Sequence, residues 1–81
     1  MATVHFPDQL LHATGGVQRM DVPARDYREL VQRVAERFPE VRQAIEHDMS
    51  VAIDGEIVFE PFLEALTPRS EVHFLHRIAG G

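Results

Sequence analysis

Apolar residues recur along this chain with two periods, and the change from one to the other marks its elements. Residues 3–11 read as a first strand, with Val4 and Phe6 on one face and His5 on the other. Pro7 lacks the backbone donor that a central strand needs, so part of this stretch is expected at an edge or a bulge. Thr14-Gly15-Gly16 is a turn signal, and residues 17–22 return as a second strand with Met20 and Val22 on one face. Together they predict an N-terminal hairpin that Pro23 closes. The period then becomes helical. Tyr27, Leu30, Val31, Val34, Ala35 and Phe38 form one apolar stripe, while Arg28, Gln32, Glu36 and Arg37 fall elsewhere on the wheel. Asp26 is a good N-cap, and Glu29 three residues on completes a capping-box pattern. Pro39 breaks the helix, and Val41 and Ile45 predict a further turn or two of helix before Asp48.

The strand period resumes at residues 49–53. Asp54-Gly55 is a strong short-hairpin signal, and residues 57–59 make a short fourth strand. Residues 61–66 read as an irregular segment pinned to the core by Phe62, Leu63 and Leu66. Thr67-Pro68-Arg69-Ser70 is a turn, and residues 72–76 are the last strand. The order strand, strand, helix, strand, strand, strand predicts an α+β fold, with one main helix packed across one face of a mixed β-sheet. A single domain is expected over residues 1–81, with residues 76–81 as an extended, flexible C-terminal tail.

Composition narrows the function classes. A chain of 81 residues buries one modest core and has no room for a deep catalytic cleft as well. The net charge of −5 argues against a nucleic-acid binder; it suits a partner with a basic docking surface or simply serves solubility. No apolar run approaches the roughly 20 residues of a membrane span, and Met1-Ala2-Thr3-Val4-His5 does not resemble a signal peptide, so a cytoplasmic protein is expected. There is no cysteine, hence no disulfide, thiolate metal site or thiol nucleophile. All basic side chains are arginine, so no side-chain amine is offered for a Schiff base or for acylation.

Candidate chemistry therefore concentrates at Gly80-Gly81. A carboxylate behind two residues without side chains can enter a narrow channel, and glycine permits close backbone approach. Among the histidines, His73 and His76 are odd-spaced on a strand and face opposite sides, and His5 and His12 lack a ligand spacing, so no metal site is expected. Asp8, Asp21, Asp26, Asp48 and Asp54 lie near turns or caps, where aspartate has a local structural role. No nucleophile–base pair or carboxylate pair emerges, so the chain is not expected to be an enzyme. In the last strand Val72 and Phe74 are assigned to the core, which turns Leu75 outward. Ile57 and Phe59 share a face; either they join Leu75 in an exposed docking patch or they belong to the core and leave Leu75 alone. Arg77 either pairs with an acidic groove on a partner or is solvated tail charge.

The residues resemble a known family. Glu36-Arg37-Phe38-Pro39-Glu40-Val41-Arg42, Val51-Ala52-Ile53-Asp54-Gly55-Glu56, Ser70-Glu71-Val72-His73-Phe74-Leu75 and the tail Ile78-Ala79-Gly80-Gly81 resemble, in order and spacing, the MoaD/ThiS-type ubiquitin-like sulfur carriers. The helix end at Phe38-Pro39 is most similar to the MoaD-like, molybdopterin-synthase small-subunit group. Asp54-Gly55 stands where that group usually has Asn-Gly, and His76-Arg77 stands where members often carry a proline pair.

The resemblance implies a β-grasp fold and a carrier that acts as co-substrate of other enzymes. A ubiquitin-activating-type enzyme, using ATP and magnesium, adenylates the Gly81 carboxylate. A persulfide or sulfide donor then converts it to a thiocarboxylate. The carrier itself binds no cofactor and delivers sulfur to a downstream enzyme, for instance a molybdopterin-synthase large subunit. Neither nucleic acid nor membrane is an expected partner. Partner contacts are expected at Gly80, Ala79, Ile78, Arg77, Leu75, Phe59 and Ile57. Two other readings stay open: a ubiquitin-like modifier forming amide links through Gly81, and a β-grasp interaction module whose Gly-Gly is inert.

Overall fold

The computed structural model describes residues 1–58, 61 and 63–76. Five strands form one sheet in the order β2-β1-β5-β3-β4, where β1 is Ala2–His5, β2 Arg19–Val22, β3 Met49–Ile53, β4 Glu56–Val58 and β5 Glu71–His76. β1 and β5 pair in parallel at the centre and every other pair is antiparallel. Among the described residues three α-helices accompany the sheet: α1 (Leu11–Thr14), α2 (Tyr27–Arg37) and α3 (Pro39–Asp48). The fold is thus the expected mixed sheet with α2 as its main helix.

Register gives the sheet two unlike faces. Val4 lies beside Val72 and Met20, Ala2 beside Val22, and Val51 beside both Phe74 and Val58. These side chains meet Tyr27, Leu30, Val31 and Val34 of α2 and Val41 and Ile45 of α3 in the core. Phe6 and Phe74 stack at 6.3 Å, Phe6 meets Phe38 edge-on at 6.0 Å, and Tyr27 meets Phe74 at 6.4 Å, so rings from strand and helix interlock.

Asp26 caps α2 as expected: its Oδ1 accepts the Glu29 N–H at 2.8 Å. The Glu29 carboxylate reaches back one residue further than a capping box requires and accepts the Arg25 N–H at 2.8 Å. Asp54 and Gly55 both have positive φ, 51° and 85°, as the two-residue hairpin between β3 and β4 demands. Asp54 also ties that turn to β5: its N–H donates to the Glu71 carbonyl and its Oδ1 accepts the Glu71 N–H, both at 2.9 Å.

Four expectations need correction. The first strand does not run to residue 11. Pro7 has no N–H to continue the ladder, and behind it a 3-10 turn (Asp8–Leu10) and α1 carry Leu10 into the core. β1 and β2 pair antiparallel as the expected hairpin, but their connection is a helical turn closed by left-handed Gly15 and not the Thr14-Gly15-Gly16 turn alone. Pro39 ends α2 but also occupies the first turn of α3, where its missing N–H costs nothing, so this helix is longer than the turn or two expected. Leu63 is 81% exposed and pins nothing. Segment 61–66 is held by Leu66, which is buried, and by an isolated bridge between Asp26 and Ala65. Phe62 lies outside the described residues.

Burial raises the pKa of Tyr27 well above the usual phenol value, with the Glu46 carboxylate adding to the effect. The native state thus favours the protonated ring. The resulting stabilisation is fully present below about pH 10, the unfolded value, and is lost as pH rises above it. Tyr27 is the single tyrosine. In an alkaline titration its phenolate absorbance should therefore appear together with the loss of helical circular dichroism, not before it. Gly55→Ala should lower stability by about 1–2 kcal/mol in urea denaturation, because a Cβ at that φ is strained although nothing crowds the site.

Candidate functional site

The face of the sheet turned away from α2 and α3 is the candidate site. The same register that buries Val4, Val72 and Phe74 places Thr3 and His5 of β1, Arg19 and Asp21 of β2, Glu71, His73 and Leu75 of β5, Ser50 and Ala52 of β3, and Ile57 of β4 on this outer face. The apolar residues gather towards the β5-β3-β4 side. Ile57 lies beside Ala52, Ala52 beside His73, and Leu75 beside Ser50. Ile57 is 41% exposed, Leu75 is half-buried, and Ala52 is buried although it stands apart from the core cluster. The choice left open by the sequence is thus decided for Ile57: it is exterior and shares a face with Leu75. Its neighbour Val58 packs against the core.

The β1–β5 side of the face is polar and tightly organised. The imidazoles of His5 and His73, neighbours across the parallel pair, stack with centroids 4.1 Å apart and planes within 5°. His5 Nε2 donates to Glu71 Oε1 at 2.9 Å, since an ionised carboxylate can only accept. Thr3 Oγ1 donates to Asp21 Oδ1 at 3.1 Å. Spacing along one strand did not reveal the histidine pair, because its members lie on strands far apart in sequence; the only sequence signal was their shared outward parity. The stacked rings lie flat on one another, so their lone pairs run side by side instead of converging. Among the described residues no group of three or more His, Asp or Glu could hold a metal ion.

Of the residues expected to touch partners, Leu75 and Ile57 are brought onto one face. Phe59, Arg77, Ile78, Ala79, Gly80 and Gly81 lie outside the described residues. β5 itself runs through His76, which pairs with Met49. No helix among the described residues is long and apolar enough to cross a membrane.

A mixed five-stranded sheet with a parallel central pair, one main helix on its inner face and an open outer face defines a β-grasp, ubiquitin-like domain. Solved structures share this fold. CysO in the Amycolatopsis orientalis BexX/CysO complex superposes with a TM-score of 0.87 at 19% identity, covering 100% of both chains. Small archaeal modifier protein 1 (SAMP1) from Methanosarcina acetivorans gives 0.81 at 15% identity, covering 99% of this chain and 95% of that one. SAMP1 from Haloferax volcanii gives 0.73 at 17% identity, covering 99% and 98%. No family model matches the chain, and no curated protein matches it in sequence. The likeness in shape is consistent with the MoaD/ThiS-type resemblance of the sequence.

If Ile57 serves the outer face and not the core, Ile57→Ser should change the urea-unfolding free energy by less than about 0.5 kcal/mol. Leu30→Ala, at a fully buried position of α2, should cost about 2–5 kcal/mol in the same measurement.

Proposed function

We propose that this protein is a ubiquitin-like sulfur carrier whose reacting group is the Gly81 carboxylate, and that the Ile57–Leu75 side of its outer face docks the activating enzyme. The observation that carries the reading is the join between that face and the end of the chain. Leu75 lies on the central strand β5, and His76, the last residue of β5, is followed by Arg77-Ile78-Ala79-Gly80-Gly81. Five extended residues span at most about 17 Å. A partner seated on Leu75 and Ile57 is then within reach of Gly81. The likeness in fold to CysO, solved with BexX, supports a domain of this shape working with a protein partner.

In this mechanism a ubiquitin-activating-type enzyme joins the Gly81 carboxylate to the α-phosphate of ATP and releases pyrophosphate. Magnesium held by that enzyme would supply charge neutralisation at the phosphates. A hydrosulfide attacks the Gly81 carbonyl carbon and expels AMP, leaving a thiocarboxylate. With a protein persulfide as donor, a further thiol must cleave the S–S bond to release the same product. The chain has no cysteine, so the sulfur comes from outside and no internal thiol competes for the acyl group. Gly80 lets the backbone enter the partner's site, while Arg77, Ile78, Ala79 and Phe59 supply further contacts. A downstream enzyme, such as a molybdopterin-synthase large subunit, takes the sulfur. Because two of the similar structures are of small archaeal modifier proteins, amide transfer from Gly81 to lysines of other proteins is the second reading.

Incubation with the source organism's activating enzyme, ATP, magnesium and sodium sulfide should raise the intact mass by one oxygen-to-sulfur exchange. Deleting Gly81 or changing Gly80 to Trp should abolish the gain. Leu75→Asp should slow it at limiting activating enzyme. Thiocarboxylation of the Gly81-deleted chain would overturn the mechanism, and lysine-linked adducts in place of the thiocarboxylate would favour the modifier reading.

A further inference from the structure

We propose that two copies of this chain associate through the free edge of β2, in an antiparallel register centred on Met20 that sets Arg19 of each copy opposite Asp21 of the other. β2 is the outermost strand and, among the described residues, pairs only with β1. The direction of its backbone groups follows from two hydrogen bonds. The Thr3 N–H donates to the Ser70 carbonyl at 2.9 Å, so Thr3 turns towards β5. The Phe6 N–H donates to the Gln18 carbonyl at 2.9 Å, so Phe6 turns towards β2. Alternation along β1 then directs Ala2 and Val4 to β2, and their register partners Val22 and Met20 back to β1. Arg19 and Asp21 therefore present their N–H and C=O groups at the open edge.

Charged residues on a short edge strand ordinarily blunt it against pairing. Here the two charges are opposite in sign and stand two residues apart on the same outer face, both exposed. In the register centred on Met20, the two outward-turned residues of one copy meet the two outward-turned residues of the other. Each Arg19–Asp21 pair can then exchange both backbone hydrogen bonds, with the guanidinium set across from the carboxylate. Asp21 accepts the Thr3 hydroxyl and keeps further lone pairs for this contact. The two neighbouring registers of the same hydrogen-bonding parity oppose Arg19 to Arg19 or Asp21 to Asp21, and like charges directly across a sheet are destabilising. The charge pattern thus selects one two-fold arrangement. Pro23, with no N–H, stops the ladder from lengthening. An edge this short buries little area, so the association is weak and concentration-dependent.

Sedimentation equilibrium over a concentration series tests this, with amide hydrogen exchange read alongside. The wild type should self-associate, and the Arg19 and Asp21 amides should gain protection as concentration rises. Arg19→Asp and Asp21→Arg, both at exposed positions, should each remain monomeric with unchanged circular dichroism. An equimolar mixture of these two variants should form a heterodimer, and the double variant R19D/D21R should regain self-association. A wild type that stays monomeric throughout, single variants that associate like the wild type, or a mixture that fails to associate would each overturn the proposal.

Discussion

The parallel contact between Val4 and Val72 at the centre of the sheet is the constraint on which the other elements depend. Both side chains are fully buried, and they come from opposite ends of the chain. A one-residue slip of β5 against β1 would turn Val72 and Phe74 out to solvent and drive His73 and Leu75 into the core. The register of β3 would follow, because Val51 and Ile53 pair with Phe74 and Val72. The sheet is therefore complete only when the first and last strands meet, and the cost of closing that long loop falls on the central contact. Two short-range devices, the Asp26 cap and the positive-φ turn at Asp54-Gly55, reduce this cost, and the Asp54–Glu71 hydrogen bonds hold the β3–β4 hairpin against β5.

Elements governed by local physics could be read from the residues alone. The α2 stripe, the Asp26 cap, the Asp54-Gly55 turn and the inward parity of Val72 and Phe74 each depend on near neighbours, and the structure has them as expected. The misread segments are those where tertiary packing overrides a short pattern. The strand expected over residues 3–11 stops at His5, because Pro7 cannot continue a ladder and Leu10 is buried in a helical turn. Leu63 has the composition of an anchor, yet the bridge at Ala65 and the burial of Leu66 already fix that segment. On the outer face, the outward turn of Leu75 was legible from alternation. The company of Ile57 required the β3–β4 register, and the His5–His73 stack required knowing that the two end strands are neighbours.

The two faces of the sheet are divided between packing and exposure. All large apolar side chains of α2 are spent on the inner face, so the outer face keeps its apolar residues at the β5-β3-β4 side without loss to the core. The stacked imidazoles and the His5–Glu71 contact restrict the side chains next to that patch, which would lower the ordering cost of the docking proposed there.

Edge pairing through β2 extends this logic. The two-fold axis of an antiparallel strand pair centred on Met20 runs perpendicular to the sheet. It therefore keeps both outer faces on the same side of one continuous sheet. The interface uses the strand furthest from β4, so neither Ile57 nor Leu75 is covered in either copy. A dimer built this way offers two docking faces in one direction. A partner that is itself two-fold could engage both, and the second contact would form at the raised effective concentration that linkage provides. Weak pairing at β2 is then sufficient, because its contribution multiplies with that of the docking face instead of competing with it.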